Sequence, residues 1–237
     1  MDENEHIETK EELLLQTSRR MISELAQDGF VSEARERTLS LYGLHKEMKV
    51  EIILLVPRQR FRTILKVFPQ VQLCSKAIKK WWRSEGLPAP TDIFFSARLE
   101  EFSPRTPPFK WIISGGEQER SIPEMVNHIR TFVIPLFNTV TNPEQAVNLM
   151  CENVWAIGRG MTTTVSAPPL EYVIYYGSIE LGRKLFENSL KKNKQWAQQV
   201  SLRYKELDRR PDISHEQLFA SGERWINLAY VCGFKPY

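Results

Sequence analysis

The chain has 237 residues, of which 42% are hydrophobic and 26% charged, with a formal net charge of +3. That is apolar material for one large core or two small ones, and a charge too balanced for a disordered chain. The small positive excess falls short of the clustered basic footprint of a dedicated nucleic-acid binder, and neither demands nor excludes an acidic partner.

No run approaches the roughly 20 apolar residues of a membrane span. The acidic start, Met1-Asp2-Glu3, lacks the positive and apolar regions of a secretory signal. Cys74, Cys151 and Cys232, odd in number and far apart, read as reduced thiols of a cytoplasmic protein.

Residues 7–28 are expected to form the first helix. Leu14, Met21, Ile22 and Leu25 recur at helical spacing, and Gly29 stops it. Phe30 and Val31 then turn the chain back toward the core. A first strand follows within 37–44. Val50 to Val56 is apolar and β-branched up to Pro57, which predicts a strand buried on both faces.

Arg58, Arg60 and Arg62 alternate with Gln59 and Phe61; in an extended chain they would share one face. The stretch through Thr63, Leu65, Val67 and Phe68 reads as another strand or a short helix. Ser75 to Arg83 reads as a short basic helix carrying Lys76, Lys79, Lys80 and Trp81-Trp82, closed by Gly86.

Asp92 to Phe102 is expected to be a strand. The Ser103 to Pro108 connection would then return it, hairpin-like, as Phe109 to Ile113. After Gly115-Gly116, Ser121 and Glu124 have capping-box spacing and predict a helix over 122–138 that bends or stops near Ile134, because Pro135 lacks an N–H. Asn142-Pro143 opens a helix over 143–153.

The Gly-, Thr- and Pro-rich stretch 154–170 is a loop or boundary. It divides an α+β core, 1–153, from a helical portion, 171–237, that packs on it. Leu170 to Tyr176 opens that portion. One long helix or two fill Ser178 to Asp208, and Ser214, with Gln217 three residues on, caps a last helix to about Val231 with Trp225, Leu228 and Ala229 inward. The fold class is α+β: an antiparallel sheet of four or five strands, an N-terminal helix, and a helical C-terminal portion. Strands followed by helices, without regular alternation, exclude a doubly wound sheet.

The sequence offers no catalytic signature. The four histidines share no metal-ligand spacing with one another or with the cysteines, so no metal or cofactor is expected. Cys151 beside Glu152 reads as a buried structural thiol. Gly115-Gly116 lacks the phosphate-loop pattern, and Glu117 and Glu119 beside it would repel an anion. Gly158-Arg159-Gly160 is too short a pattern to assign. Glu100, Glu101, Arg98 and His128 are the residues from which a dispersed enzymatic site would be built. The basic group Arg58, Arg60, Arg62, Lys79 and Lys80, with Trp81, suits single-stranded nucleic acid or an acidic protein surface; its plainer reading is a solvated face with one tryptophan in the core.

The order of motifs resembles an uncharacterised bacterial α+β family that recurs beside polymorphic toxin genes. The resemblance rests on the helix leading to Gly29-Phe30, the Trp81-Trp82 segment, Trp111-Ile112-Ile113, and the aliphatic-Pro-aromatic run Val133 to Phe137. It spans about residues 10–150 and, more loosely, the helix after Tyr176-Gly177. It implies a cytoplasmic, non-enzymatic immunity protein that occludes a cognate toxin, and it carries no functional residues of its own. Of the acidic candidates, the N-terminal run reads as helix-dipole partners and solubility charges, so a basic toxin would seek the Glu117/Glu119 loop ahead of Glu100-Glu101; an acidic one would seek the Arg58–Arg62 segment. The alternatives are a nucleic-acid-binding module and an enzyme.

Overall fold

The computed structural model describes residues 9–32, 38–43, 46–56, 64–88, 91–102, 111–153, 169–220 and 222–236. The first helix, α1 (Lys10–Leu25), opens on a capping box of Thr9 and Glu12 and ends in a 3-10 turn, Ala26–Asp28. Gly29 follows at φ 87°, a left-handed conformation that a β-carbon disfavours. Leu14, Met21 and Leu25 are fully buried, each contributing about 1.5–3 kcal/mol. Arg130 clasps the end of the helix, meeting Asp28 at 2.8 Å and donating to the Glu24 carbonyl at 2.6 Å.

Phe30 turns inward as expected, but Val31 is 47% exposed. It starts β1 (Val31–Ser32), an edge strand paired with β2 (Thr38–Gly43). Then come β3 (Met48–Leu55), β4 (Lys66–Ser75) and β5 (Ile93–Arg98). The sheet is antiparallel in the order β1-β2-β3-β4-β5, and β6 (Trp111–Ile112) pairs with β4.

Three strand expectations are corrected. The strand over 50–56 is not buried on both faces: Met48, Val50, Ile52 and Leu54 face the core while Lys49, Glu51 and Ile53 are half-buried, the alternation of a sheet covered on one side. Asp92 to Phe102 is not one strand, because Leu99–Phe102 winds into a 3-10 turn that buries Leu99 and Phe102. The returning strand does not pair with β5 among the described residues; Trp111 and Ile112 sit opposite Val67 and Lys66 of β4. Pro69 lies where β4 changes neighbour from β6 to β5, a gap that tolerates a residue without an N–H.

The helix after β6 begins earlier than its apparent cap. α3 spans Gln118–His128, and Ser121 lies inside it, its Oγ accepting from the Ile112 N–H at 3.2 Å. The Ser121–Glu124 spacing is therefore not a cap; the hydroxyl ties helix to strand. The helix does not stop at Ile134. A π turn, Ile129–Val133, carries it into α4 (Ile134–Val140), with the Ile134 N–H reaching the Ile129 carbonyl. The wider turn admits Pro135 without breaking the rod.

α5 (Pro143–Asn153) matches its expected bounds. The stretch 154–168 lies outside the described residues. Beyond it stand α6 (Leu170–Tyr176), α7 (Ile179–Lys192), α8 (Lys194–Asp208), α9 (His215–Ala220) and α10 (Arg224–Val231). The segment after Ser178 is two helices, parted at Asn193, whose side chain accepts from the Trp196 N–H at 3.1 Å. Ser214 does cap, accepting from Gln217 at 3.3 Å. Its helix ends at Ala220, however, and after Gly222 at φ 80° a separate helix carries Trp225, Leu228 and Ala229. Trp225 is only partly buried, against the core that holds the other two.

One continuous cluster of buried side chains joins Leu14 of α1, the sheet, α3 to α5 and Phe234 beyond α10. The hydroxyl of Tyr172 on α6 donates to the Val140 carbonyl at 2.6 Å, fastening the C-terminal helices to the end of α4.

Candidate functional site

The basic helix forms as α2 (Lys76–Ser84). Ser75 ends β4 in extended conformation and its side chain accepts from the Ile78 N–H. Ile78 and Trp82 point into the core, leaving Lys76, Lys80 and Arg83 exposed and Lys79 half-buried. The two tryptophans part company. Trp82 is fully buried, its ring 5.1 Å from that of Phe219 and 4.4 Å below the Arg224 guanidinium. Trp81 stays partly exposed, its ring centroid 6.0 Å from that of Tyr175, itself 38% exposed.

At about 100° per residue, Lys76, Lys79, Lys80 and Arg83 share one face, while Trp81 lies on a shoulder about 100° from Lys80 and about 160° from Lys79. Lys80 is thus nearer than Lys79 to the shoulder that carries Trp81, though both stand on a different face of the helix. Among the described residues none of these four basic side chains is in an ion pair. Arg58, Arg60 and Arg62 lie outside the described residues.

The acidic loop is arranged differently from its sequence impression. Gly115 and Gly116 adopt φ of 64° and 82°, so they serve the turn. Glu117 stands at the start of α3 and pairs with Arg120 at 2.9 Å. Glu119 lies in the first helical turn, not on the loop. Arg20 of α1 grips both its oxygens, at 2.6 and 3.0 Å. That hydrogen-bonded guanidinium, and then its charge, hold the Glu119 carboxyl below its ordinary pKa.

Of the residues of a dispersed enzymatic site, Arg98, Glu100 and Glu101 meet one another. Arg98 reaches Glu100 at 3.5 Å, and its backbone N–H donates to Glu101 at 3.0 Å. Burial raises the Glu100 pKa, and Arg98 partly offsets it. His128 packs its ring 5.7 Å from both Trp111 and Phe132, with Nδ1 at 2.9 Å from the Glu124 carbonyl. Its contacts are those of a helix packing on a strand.

The three cysteines are free thiols. Burial raises the Cys74 and Cys151 pKa values; at Cys151, Lys184 acts in the opposite sense and Glu152 adds to the rise. Burial pushes Cys232 up to about 11. These are poor nucleophiles. Among the described residues no group of His, Cys, Asp or Glu could hold a metal ion, and no helix is long and apolar enough to cross a membrane.

Sequence reasoning missed a second place altogether. A cavity of about 410 Å³ opens between α8, α10, α6 and β5. Its polar lining includes Glu171 and Arg224, paired at 3.3 Å, and Trp196 and Trp225 contribute aromatic walls. Glu171 is 5% exposed. Desolvation raises its pKa, against the lowering effect of Arg224. The guanidinium is also fixed by the Ile93 carbonyl at 3.0 Å. The one signal in the sequence was an acid, Glu171, inside the apolar run Leu170 to Tyr176.

No protein-family model, curated protein or solved structure matches this chain. The resemblance to toxin-associated immunity proteins rests on the sequence motifs alone.

Proposed function

We propose that this protein is an immunity-type inhibitor acting in the cytoplasm, which binds a cognate protein toxin and occludes it without chemistry of its own. The observation that supports a binding surface is the partly exposed Trp81–Tyr175 pair, whose tryptophan stands on the same short helix as the exposed Lys80. Tryptophan and tyrosine are enriched among the residues that dominate interface binding energy. The acidic alternative carries less weight, because the Glu119 charge is already met by Arg20. The favoured partner surface is therefore acidic, reached by α2 and the end of α6 within an interface of about 1,600 Å². This reading expects a toxin-like domain to be encoded beside the gene, and co-expression with it is the test: the wild-type chain restores growth and K80E does not.

A second reading is a nucleic-acid-binding module on the same helix, since aromatics together with lysines also suit unpaired bases. Such binding weakens steeply as salt rises. Absence of binding to single-stranded DNA or RNA at low salt would remove it.

A further inference from the structure

The cavity between α8 and α10 draws none of its described lining from α2, so it is distinct from the surface proposed above. One face of α8 builds a wall of it. Trp196, Gln199 and Val200 line the space at helical spacing. Trp225 of α10 and Phe94 of β5 add two further rings, and the Trp196 and Trp225 centroids stand 5.8 Å apart. Both tryptophans are only partly buried. At about 410 Å³ the space lies toward the small end of the roughly 300–1,000 Å³ common for ligand sites.

The charges around this space do not cancel. Its charged lining residues are Glu171, Glu223 and Arg224. Glu171 and Arg224 pair at 3.3 Å, and Arg224 is also held by the Ile93 carbonyl and over the Trp82 ring. Glu223 has no such partner to itself. Arg203 meets it at 2.8 Å through Nε, and meets Glu206 at 2.8 Å through Nη1. The three carboxylates of Glu171, Glu206 and Glu223 therefore face two guanidinium groups, which leaves one negative charge. The Glu223 side chain is half-exposed, so part of that charge meets solvent.

This balance disfavours an anion and gives a neutral ligand no advantage. A cation gains twice, from the excess carboxylate and from the negative π-systems of the aromatic rings. The rings also select the kind of cation. A primary ammonium carries three N–H donors, for which aromatic walls are poor acceptors, and leaving them unmet is costly. An ammonium whose hydrogens are replaced by methyl groups has no donor to satisfy, and it presents apolar surface to the rings.

We propose that the cavity binds a small organic cation with a methylated ammonium head, held against Trp196 and Trp225 and drawn in by the excess negative charge at Glu223.

The test is calorimetric titration of the intact protein with choline at fixed ionic strength, backed by tryptophan fluorescence. Dimethylbutanol (the uncharged carbon analogue of choline), ethanolamine and benzoate serve as comparisons. Choline should bind saturably, with dimethylbutanol and ethanolamine at least tenfold weaker and benzoate weaker still. W196A should lower choline affinity at least tenfold and E223Q severalfold, while K80E on α2 should leave it unchanged. If W196A does not fold, the ligand comparison on the wild-type chain decides. Absence of saturable binding up to millimolar choline would overturn the proposal. So would equal or tighter binding of dimethylbutanol, ethanolamine or benzoate, or a folded W196A or E223Q chain that binds choline as tightly as the wild type.

Discussion

Arg20 on α1 and Glu119 on α3 are joined by two hydrogen bonds, at 2.6 and 3.0 Å, across ninety-nine positions of sequence. The pair locks the N-terminal helix to the start of α3 and removes Glu119 from the free acidic surface. Because Arg20 holds the Glu119 pKa below its ordinary value, the stabilisation is fully present above the unfolded carboxyl pKa and is lost as pH falls through the lowered folded value. E119Q should therefore lower the urea midpoint slightly at pH 7. The difference should vanish in acid and in about 1 M salt, where the Debye length is only about 3 Å. A difference that persists in both would mean the side chain acts through packing.

Glu171 and Arg224 behave in the opposite sense. Burial raises the Glu171 pKa, so the folded state takes up a proton more readily than the unfolded one. The carboxylate costs stability above the folded pKa, and acidification relieves that cost. R224M strands the buried anion, and removing one partner of such a pair costs about 3–5 kcal/mol. The loss should be greatest at pH 8 and shrink as the pH is lowered toward 5. A pH-independent loss in urea denaturation would contradict this account of the pair.

Much of the fold was legible because local signals agreed with tertiary demands. Gly29 ends α1, the short basic helix α2 forms within a residue of its expected bounds, and Asn142-Pro143 opens α5 where expected. The failures share a cause: a partner distant in sequence outbid a local rule. The Ser121 hydroxyl serves the Ile112 N–H across the strand–helix turn, so its capping-box spacing misled. The stretch ending at Phe68 left strand and short helix both open; it is a strand that runs on to Ser75, with Val71 and Leu73 on its buried face. Of the site residues, Lys79, Lys80 and Trp81 were legible as a short basic helix. Which tryptophan would be buried was not, since that depends on Phe219 and Arg224, far along the chain.

Gly182 shows close packing deciding against helix propensity. A β-carbon there would lie 2.5 Å from Ile174 Cγ1, on the neighbouring helix α6. Alanine is intrinsically favoured over glycine by about 1 kcal/mol within a helix, yet overpacking costs about 1–3 kcal/mol. G182A should accordingly lower stability or leave no gain, whereas relief of the clash without cost would show as a rise in Tm.

Two buried tyrosines should respond differently to loss of their hydroxyls. Tyr172 donates to the Val140 carbonyl, while the Tyr204 hydroxyl has no partner among the described residues. Y172F should cost about 0.5–1.5 kcal/mol. Y204F should be neutral or slightly stabilising in the same denaturation assay; equal losses would refute the distinction.

The most direct test of the inhibitor reading is the affinity of the complex with the cognate toxin domain, which this reading expects to be encoded beside the gene. It should be measured at physiological salt for the wild-type chain, K80E and E119Q, each verified as folded by circular dichroism. The account predicts that the wild type binds and restores growth, that K80E loses at least tenfold in affinity (about 1.4 kcal/mol), and that E119Q changes affinity less than twofold. Absence of a complex with the wild-type chain, or a K80E variant that binds as tightly as the wild type, would contradict it.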